Sequence, residues 1–561
     1  MARGRKRHAG IARLPLLLIP MIEAFTARSG APSLRIDGKA LHSPYDPARE
    51  AERFVREILG SQAPSTVVVL GEGLGHVASA VSRLYPQART LRITYAEEVA
   101  RAAIDGPGPG WHPGMASSLA DFLRLQLGEL DIEGLRVVEW PPSARLFPYI
   151  ARAANEAVRQ VVQELNGSIV TSVAAGRIWI RNSIANYLAI DTPLSGRPCA
   201  PDRPIVIAAS GPTLEQAADC IADVRGHVDI WALPSSCLCL LKAGLEPDLV
   251  IMTDPGFYSM YHMHFFPLGC PIAMPLSAAR GTWSLPRAGN RPTGPFLLAQ
   301  PVLFEQALLE ASGMSAKIIP PHGTVAATAI DLALSSTRAP VVVAGLDMCL
   351  LDMLSHARPN AFDKLLHLRA SRLEPHHSLS FHRAMAQHAE KVPGMPGVRV
   401  SPSLRTYAGW FDESREGTSE RTYRLLPAAV PLRGLRPLTP NDLRGLLKGA
   451  SSSMSGPQLK LPEAYPTYKA RKAIVQRLLK AWAADMTRAQ TSLRHPDSLS
   501  PLERFPDALS LAYVISPRLL VETRKKERLG DKEGARRVGV DMLETCISFL
   551  HRLAKKTLDD A

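Results

Sequence analysis

The chain has 561 residues, 46% hydrophobic and 21% charged, a balance that excludes both a wholly disordered chain and a bundle of membrane helices. Sixty-six Lys and Arg against 52 Asp and Glu give a formal charge of +14, which favours anionic partners such as nucleotides or acidic surfaces. Few long basic runs concentrate that charge, so most of it reads as solvated surface, and no basic stripe interleaved with aromatics points to nucleic acid.

Arg3, Arg5, Lys6 and Arg7 precede an apolar stretch from Leu14 to Ile22 that imitates a signal peptide. Pro15 and Pro20 interrupt it and Glu23 closes it, and its roughly nine residues fall short of the ~20 a membrane helix needs. Residues 1–32 are therefore read as a basic extension of a cytoplasmic protein. Seven cysteines without a C-x-x-C or zinc-spaced pair argue against a disulfide framework and a structural zinc, and Cys237 and Cys239 read as buried thiols.

Residues 33–190 read as a small α/β domain with a connecting helix. Ser33 to Ala40 is a short strand with a polar turn, and Asp46 to Leu59 has the apolar spacing of a helix. Thr66–Leu70 is a buried strand, and Gly71-Glu-Gly-Leu-Gly75 opens a helix through Leu84. Such a turn can cradle a phosphate, or its glycines can be steric necessities; both readings stand at this point. Leu91 to Ile93 is a second strand and Ala116 to Leu127 a helix. Gly106 to Gly114 is expected to be a loop that neither strand nor helix can use, and the helix from Pro148 to Tyr187 is expected to break near Gly176.

Residues 191–430 carry the clearest pattern. Buried strands at Pro204–Ala209, Asp229–Leu233, Asp248–Thr253 and Ala339–Gly345, with shorter ones at Ile272–Met274, Phe296–Leu298 and Lys317–Ile319, alternate with helices. The fold class is α/β with a Rossmann-like, mostly parallel sheet, in which ligands bind beyond the C-terminal strand ends. Residues 431–457 read as a linker and 458–561 as an all-helical domain, with amphipathic helices at Tyr468–Thr487 and Asp541–Lys556. Arg524 to Arg528 is a solvated helix face or a docking point for an acidic partner.

Candidate chemistry collects at the strand ends. Ser210-Gly211-Pro212-Thr213 lies between strand and helix, where backbone amides and hydroxyls can hold a phosphate; an ordinary N-cap by Ser210 or Thr213 is the alternative. Asp254 ends one strand and Asp347 another, and His322-Gly323-Thr324 repeats the strand, turn, helix arrangement. His356 is followed by His367, His376, His377 and His382, imidazoles available for general-base work. No D-x-D occurs, so the usual metal signature of sugar-nucleotide transferases is missing.

Ser210-Gly-Pro-Thr-Leu214, Ala232-Leu-Pro-Ser-Ser236, Leu241 to Asp248, Thr253-Asp-Pro255, Gly323-Thr-Val325 and Val343-Ala-Gly-Leu-Asp347 together resemble the central domain of the motility associated factor (Maf) flagellin glycosyltransferases. Leu41 to Pro47, Gly71 to Gly75, Gly176 to Asn182 and Tyr407 to Phe411 extend the likeness outward. The resemblance implies transfer of a nonulosonic acid, of pseudaminic or legionaminic type, from its CMP conjugate to Ser/Thr of flagellin, in a bacterial sialyltransferase-like fold with no tightly bound cofactor. Carried over, Ser210 to Thr213, Ser235, Ser236, Asp254, Gly323, Thr324 and Asp347 would form the donor pocket, with His356, then Asp254, as the base and Asp347 beside them. The archaeal-type 6-hydroxymethyl-dihydropterin pyrophosphokinases share this core and would place Mg²⁺ on Asp254 and Asp347. A non-catalytic flagellin-binding protein is the third reading.

Overall fold

The computed structural model describes residues 21–61, 64–104, 106–266, 269–284, 294–300, 302–320, 322–412, 420–447, 458–462, 465–495 and 501–559. The glycine- and serine-rich run at 449–457 and nearly all of the signal-like stretch lie outside them. The chain divides into two compact units, Met1–Ile169 with Val521–Ala535, and Val170–Leu520 with Arg536–Ala561.

In the first unit, Ile22–Thr26 pairs antiparallel with Pro32–Ile36, which turns through Asp37-Gly38 to Lys39–Ala40. The residues read as the end of a basic extension are thus the first strand of this unit, because Ile22 packs on its core. A four-stranded parallel sheet follows in the order Gly110–Trp111, Arg89–Ile93, Thr66–Leu70, Leu135–Glu139. The Gly-Pro loop of 106–114 therefore does enter a sheet: backbone bonds from Arg92 and Thr94 to the Pro109 and Trp111 carbonyls recruit it as an edge strand, where proline costs no ladder bond. The Arg524–Arg528 run faces acidic residues of its own unit, with Lys525 2.8 Å from Glu133 and Lys526 3.1 Å from Asp531.

Pro148–Ala189 is one continuous helix of 42 residues, without the expected break at Gly176. A Cβ on Gly176 would lie 2.0 Å from the Val514 carbonyl oxygen. The glycine thus serves close approach of the Pro506–Ile515 helix rather than termination, and Arg177 donates to the next carbonyl, that of Ile515, at 2.8 Å. The division between units falls within this helix, not near residue 190.

The second unit is built on nine strands in the order Lys317–Ile318, Phe296–Ala299, Ile272–Pro275, Leu249–Ile251, Asp229–Ala232, Ile205–Ala208, Val341–Ala344, Thr422–Leu425, Arg436–Leu438, each pair parallel. The sheet continues beyond 430, the boundary expected from sequence: Leu438, Leu443 and Leu447 complete the core that includes Val206 and Ala208. Ile205 and Ile207 face the opposite core with the Val325–Leu334 helix, so alternate residues of one strand anchor both helical layers. The later helices do not form a domain of their own. Arg471, at 1% exposure, donates to the Leu188 carbonyl at 2.8 Å and to Asp191 at 2.6 Å, fixing the Tyr468–Arg494 helix to the end of the 42-residue one.

Candidate functional site

In the second unit the strand order reverses between Ile205–Ala208 and Val341–Ala344, and the crevice of a doubly wound sheet opens beyond the ends of such a pair. The two following turns are joined: Gly211 N donates to Gly345 O at 2.7 Å. Asp347, at 2% exposure, accepts from Thr213 N at 2.9 Å and from Thr213 Oγ1 at 2.7 Å. A Cβ on Gly211 would lie 2.4 Å from Asp347 Oδ2 and 2.5 Å from Gly345 O, so glycine is required for the turns to meet. Neither residue of the N-cap alternative caps the Leu214–Asp223 helix: the Thr213 hydroxyl goes to Asp347 and the Ser210 hydroxyl pairs with Ser235 Oγ.

Asp347 was expected as a second carboxylate at a strand end, completing the donor pocket. It is instead a buried clamp, with the buried Arg424 guanidinium beside it donating to the Leu346 and Val430 carbonyls. Burial lowers the Arg424 pKa, and the Asp347 charge opposes that shift. Ser236 is likewise structural, its buried hydroxyl donating to Ala208 O and Leu233 O at 2.8 Å each. Asp254 is exposed and caps its own turn by accepting from Gly256 N at 2.6 Å. Asp254 and Asp347 thus sit in different surroundings, one exposed and the other buried with each oxygen accepting from Thr213.

A strap carries His356 to the crevice: Ala357 N donates to Ser210 O at 2.8 Å, and Arg358 N to Glu215 Oε1 at 2.8 Å. The His356 ring stands 6.0 Å from that of His262, and both rings pack on Phe362 at 5.6 Å and 4.7 Å. The Arg383 guanidinium lies 3.5 Å above the same phenyl ring. Burial, and then Arg383, push the His356 pKa down to about 4; burial, then His356 and Arg383, push that of His262 down to about 3. Both imidazoles are neutral at physiological pH.

Gly323 and Thr324 lie on the opposite helical layer, where Thr324 Oγ1 accepts from Ala326 N at 3.0 Å to cap Val325–Leu334. His322 bonds Asp331 and meets the Trp410 ring edge-on at 4.9 Å. Among the described residues no hydrogen bond joins Asp254 or Thr324 to the group around Ser210. His367 and His376 stack on each other at 4.0 Å.

Sequence reasoning missed His262, Phe362, Arg383 and Arg424. The aromatic run Phe257 to His264, directly after Asp254-Pro-Gly256, was a usable signal for His262; nothing marked the arginines. Also missed were Asn182 and Asn186, whose carboxamides donate to the Pro255, Ser277, Leu276 and Ala278 carbonyls at 2.9–3.1 Å and hold the crevice loops. Glu305, fully buried, accepts from Ser277 N at 2.8 Å, and burial raises its pKa.

In the first unit the corresponding turn after Thr66–Leu70 is filled rather than open. A Cβ on Gly73 would lie 2.1 Å from His42 Nε2, which accepts from Leu74 N at 3.1 Å while its ring stacks on Trp140 at 5.3 Å. Glu72 is buried and accepts from Ala78 N at 3.2 Å; burial raises its pKa to about 7. The steric reading of the Gly71–Gly75 glycines is the one the geometry supports.

Residues 182–353 match the family model described as 6-hydroxymethylpterin diphosphokinase MptE-like. The structure is similar, at a TM-score of 0.59 and 12% identity, to that of a Maf glycosyltransferase from Magnetospirillum magneticum AMB-1, covering 97% of this chain and 93% of that one. Two proteins of Treponema pallidum, both described as uncharacterized, are 24% identical over 328 residues (58% of this chain, 68% of that protein) and 26% identical over 254 residues (43% and 42%). Among the described residues no helix is long and apolar enough to cross a membrane. The chain thus shares the overall fold of that Maf glycosyltransferase, and its residues 182–353 are similar to MptE-like domains.

Proposed function

We propose that the protein is a glycosyltransferase that moves a nonulosonic acid, of pseudaminic or legionaminic type, from its CMP conjugate to Ser/Thr of flagellin. The observation that carries this reading is the Asp347-clamped turn Ser210–Thr213 at the point where the strand order reverses, in a fold shared with a Maf glycosyltransferase along nearly its whole length. The turn presents the start of the Leu214–Asp223 helix to the CMP phosphate, whose charge grows as the sugar departs in an oxocarbenium-like state. His356, neutral and held beside Ser210 by the strap, accepts the proton of the acceptor hydroxyl. A weak base suffices here, because the hydroxyl becomes acidic only as it bonds to the electron-poor anomeric carbon. Asp347 positions the turn and touches no reacting atom.

The test is a calorimetric titration with CMP, and separately with ATP plus Mg²⁺, followed by a transfer assay with a CMP-nonulosonic acid and flagellin. Metal-free CMP binding with transfer supports the reading. Mg²⁺-dependent ATP binding alone would favour the diphosphokinase reading suggested by the family model of residues 182–353, and CMP binding without turnover the non-catalytic one.

A further inference from the structure

A second concavity lies in the same unit, away from the Ser210 turn. It has a volume of about 460 Å³, within the range of small-molecule sites. Its floor is apolar, formed by Ile184 and Leu188 of the 42-residue helix and by Phe549 and Leu553 of the last helix. Its rim is cationic: Arg181, Arg280, Arg552 and Lys556, from three separate segments, all line it. No lining residue is acidic, and among the described residues no ion pair engages any of the four cations. The Arg181 guanidinium sits 5.4 Å from the centre of the Phe549 ring, at the junction of floor and rim.

Elsewhere in this unit Arg203, Arg225, Arg444 and Arg471 each meet a carboxylate. Four uncompensated cations around an apolar floor repel one another, and an anion relieves that repulsion. The floor rewards an apolar body through burial. Apart from the loop that carries Arg280 the walls are helical, with backbone groups already bonded within the helices, so the cavity offers side-chain contacts and charge but no ladder for an extended peptide.

We propose that this cavity binds a single-chain anionic amphiphile, an alkyl chain of roughly drug-like size bearing one carboxylate or phosphate head, as a free monomer. The chain lies on Phe549 and Leu553, and the head meets Arg181, Arg280, Arg552 and Lys556. Arg280 directly follows Ala279, whose amide donates to the Asp254 carbonyl at 3.0 Å. An occupant would therefore press on the loop that borders the crevice.

The test is calorimetry of the full chain with decanoate and with decyl phosphate, against decanol and decyltrimethylammonium as neutral and cationic chains of equal length. Either anion is expected to bind at least about tenfold more tightly than decanol, as charge-assisted contacts imply, and the tighter one identifies the head. Arg552→Glu, on an exposed residue, is expected to weaken anion binding about tenfold while leaving CMP affinity unchanged, and Ala185→Phe to block the chain. Equal binding of all four chains, indifference to both substitutions, or binding only to phosphatidylglycerol vesicles would overturn the proposal. The outcome is independent of whether CMP binds, so it does not stand or fall with the proposed transfer reaction.

Discussion

Two parallel sheets in this chain each carry a turn with a sterically required glycine after a central strand, and they use it in opposite ways. In the first unit Gly73 makes room for His42, which plugs the turn and is itself held by Trp140. In the second unit Gly211 makes room for the Asp347 carboxylate, which fixes the turn from behind and leaves its Ser210 side toward Ser235 and the His356 strap. The same local motif therefore reports only that something approaches the backbone closely. What approaches, a plug or a clamp, decides whether the crevice can serve a ligand.

The strongest way to break the comparison is to remove the clamp. Asp347→Ala leaves the buried Thr213 amide and hydroxyl without their acceptor, and it is expected to lower stability by about 1–3 kcal/mol, measured by urea unfolding, together with loss of CMP binding. Asp347→Asn should retain part of both. Next, matched alanine substitutions ask each turn the same question. Gly211→Ala and Gly73→Ala should each cost roughly 1–3 kcal/mol as overpacked sites, but CMP affinity is expected to fall in Gly211→Ala and to stay unchanged in Gly73→Ala. Equal loss of CMP affinity in both would erase the distinction.

A third prediction concerns protons. The lowered pKa values of His356, about 4, and His262, about 3, mean that between pH 6.5 and 4 the unfolded chain binds protons that the folded imidazoles refuse. Stability conferred by these two groups is thus full above pH 6.5 and declines as pH falls toward 4. His262→Asn is expected to flatten that decline relative to the wild-type protein in paired urea melts at pH 7 and 4.5. By NMR, neither imidazole should titrate above pH 5. His356→Gln is expected to lower transfer with CMP affinity unchanged, the split that separates a proton acceptor from a structural histidine. The smallest effect is expected for Asp254→Asn, whose exposed side chain caps only its own turn: stability should change by less than about 0.5 kcal/mol.

The parallel sheet was legible because its strands are apolar runs ending in polar turns, and two-sided burial writes that pattern directly. Its last two strands were not: Thr422–Leu425 holds the buried Arg424, which bonds carbonyls yet looks like a surface residue in sequence, and Arg436–Leu438 exposes Arg436 and Pro437 and buries only Leu438. Gly176 misled for a similar reason: a glycine that admits a neighbouring helix has the same letter as one that ends its own. In the second unit, Ser210 to Thr213 stood out in sequence by its turn and His356 by its residue type, but the bond from Ala357 N to Ser210 O that brings their segments together has no sequence signal. The role of Asp347 depended on which way its carboxylate points, and no spacing encodes that. His262 and Arg383 reach Phe362 only through tertiary packing.

The 42-residue helix also acts as a ruler. Gly176 fixes its height against Val514, and Asn182 and Asn186, four residues apart, grip four carbonyls of the crevice loops. One residue inserted between Gly176 and Asn182 would advance the asparagines by about 1.5 Å and rotate them by roughly 100°, releasing all four carbonyls at once. Sequence change along this stretch is therefore confined to substitution, whereas loops that the helix does not grip are free to change in length.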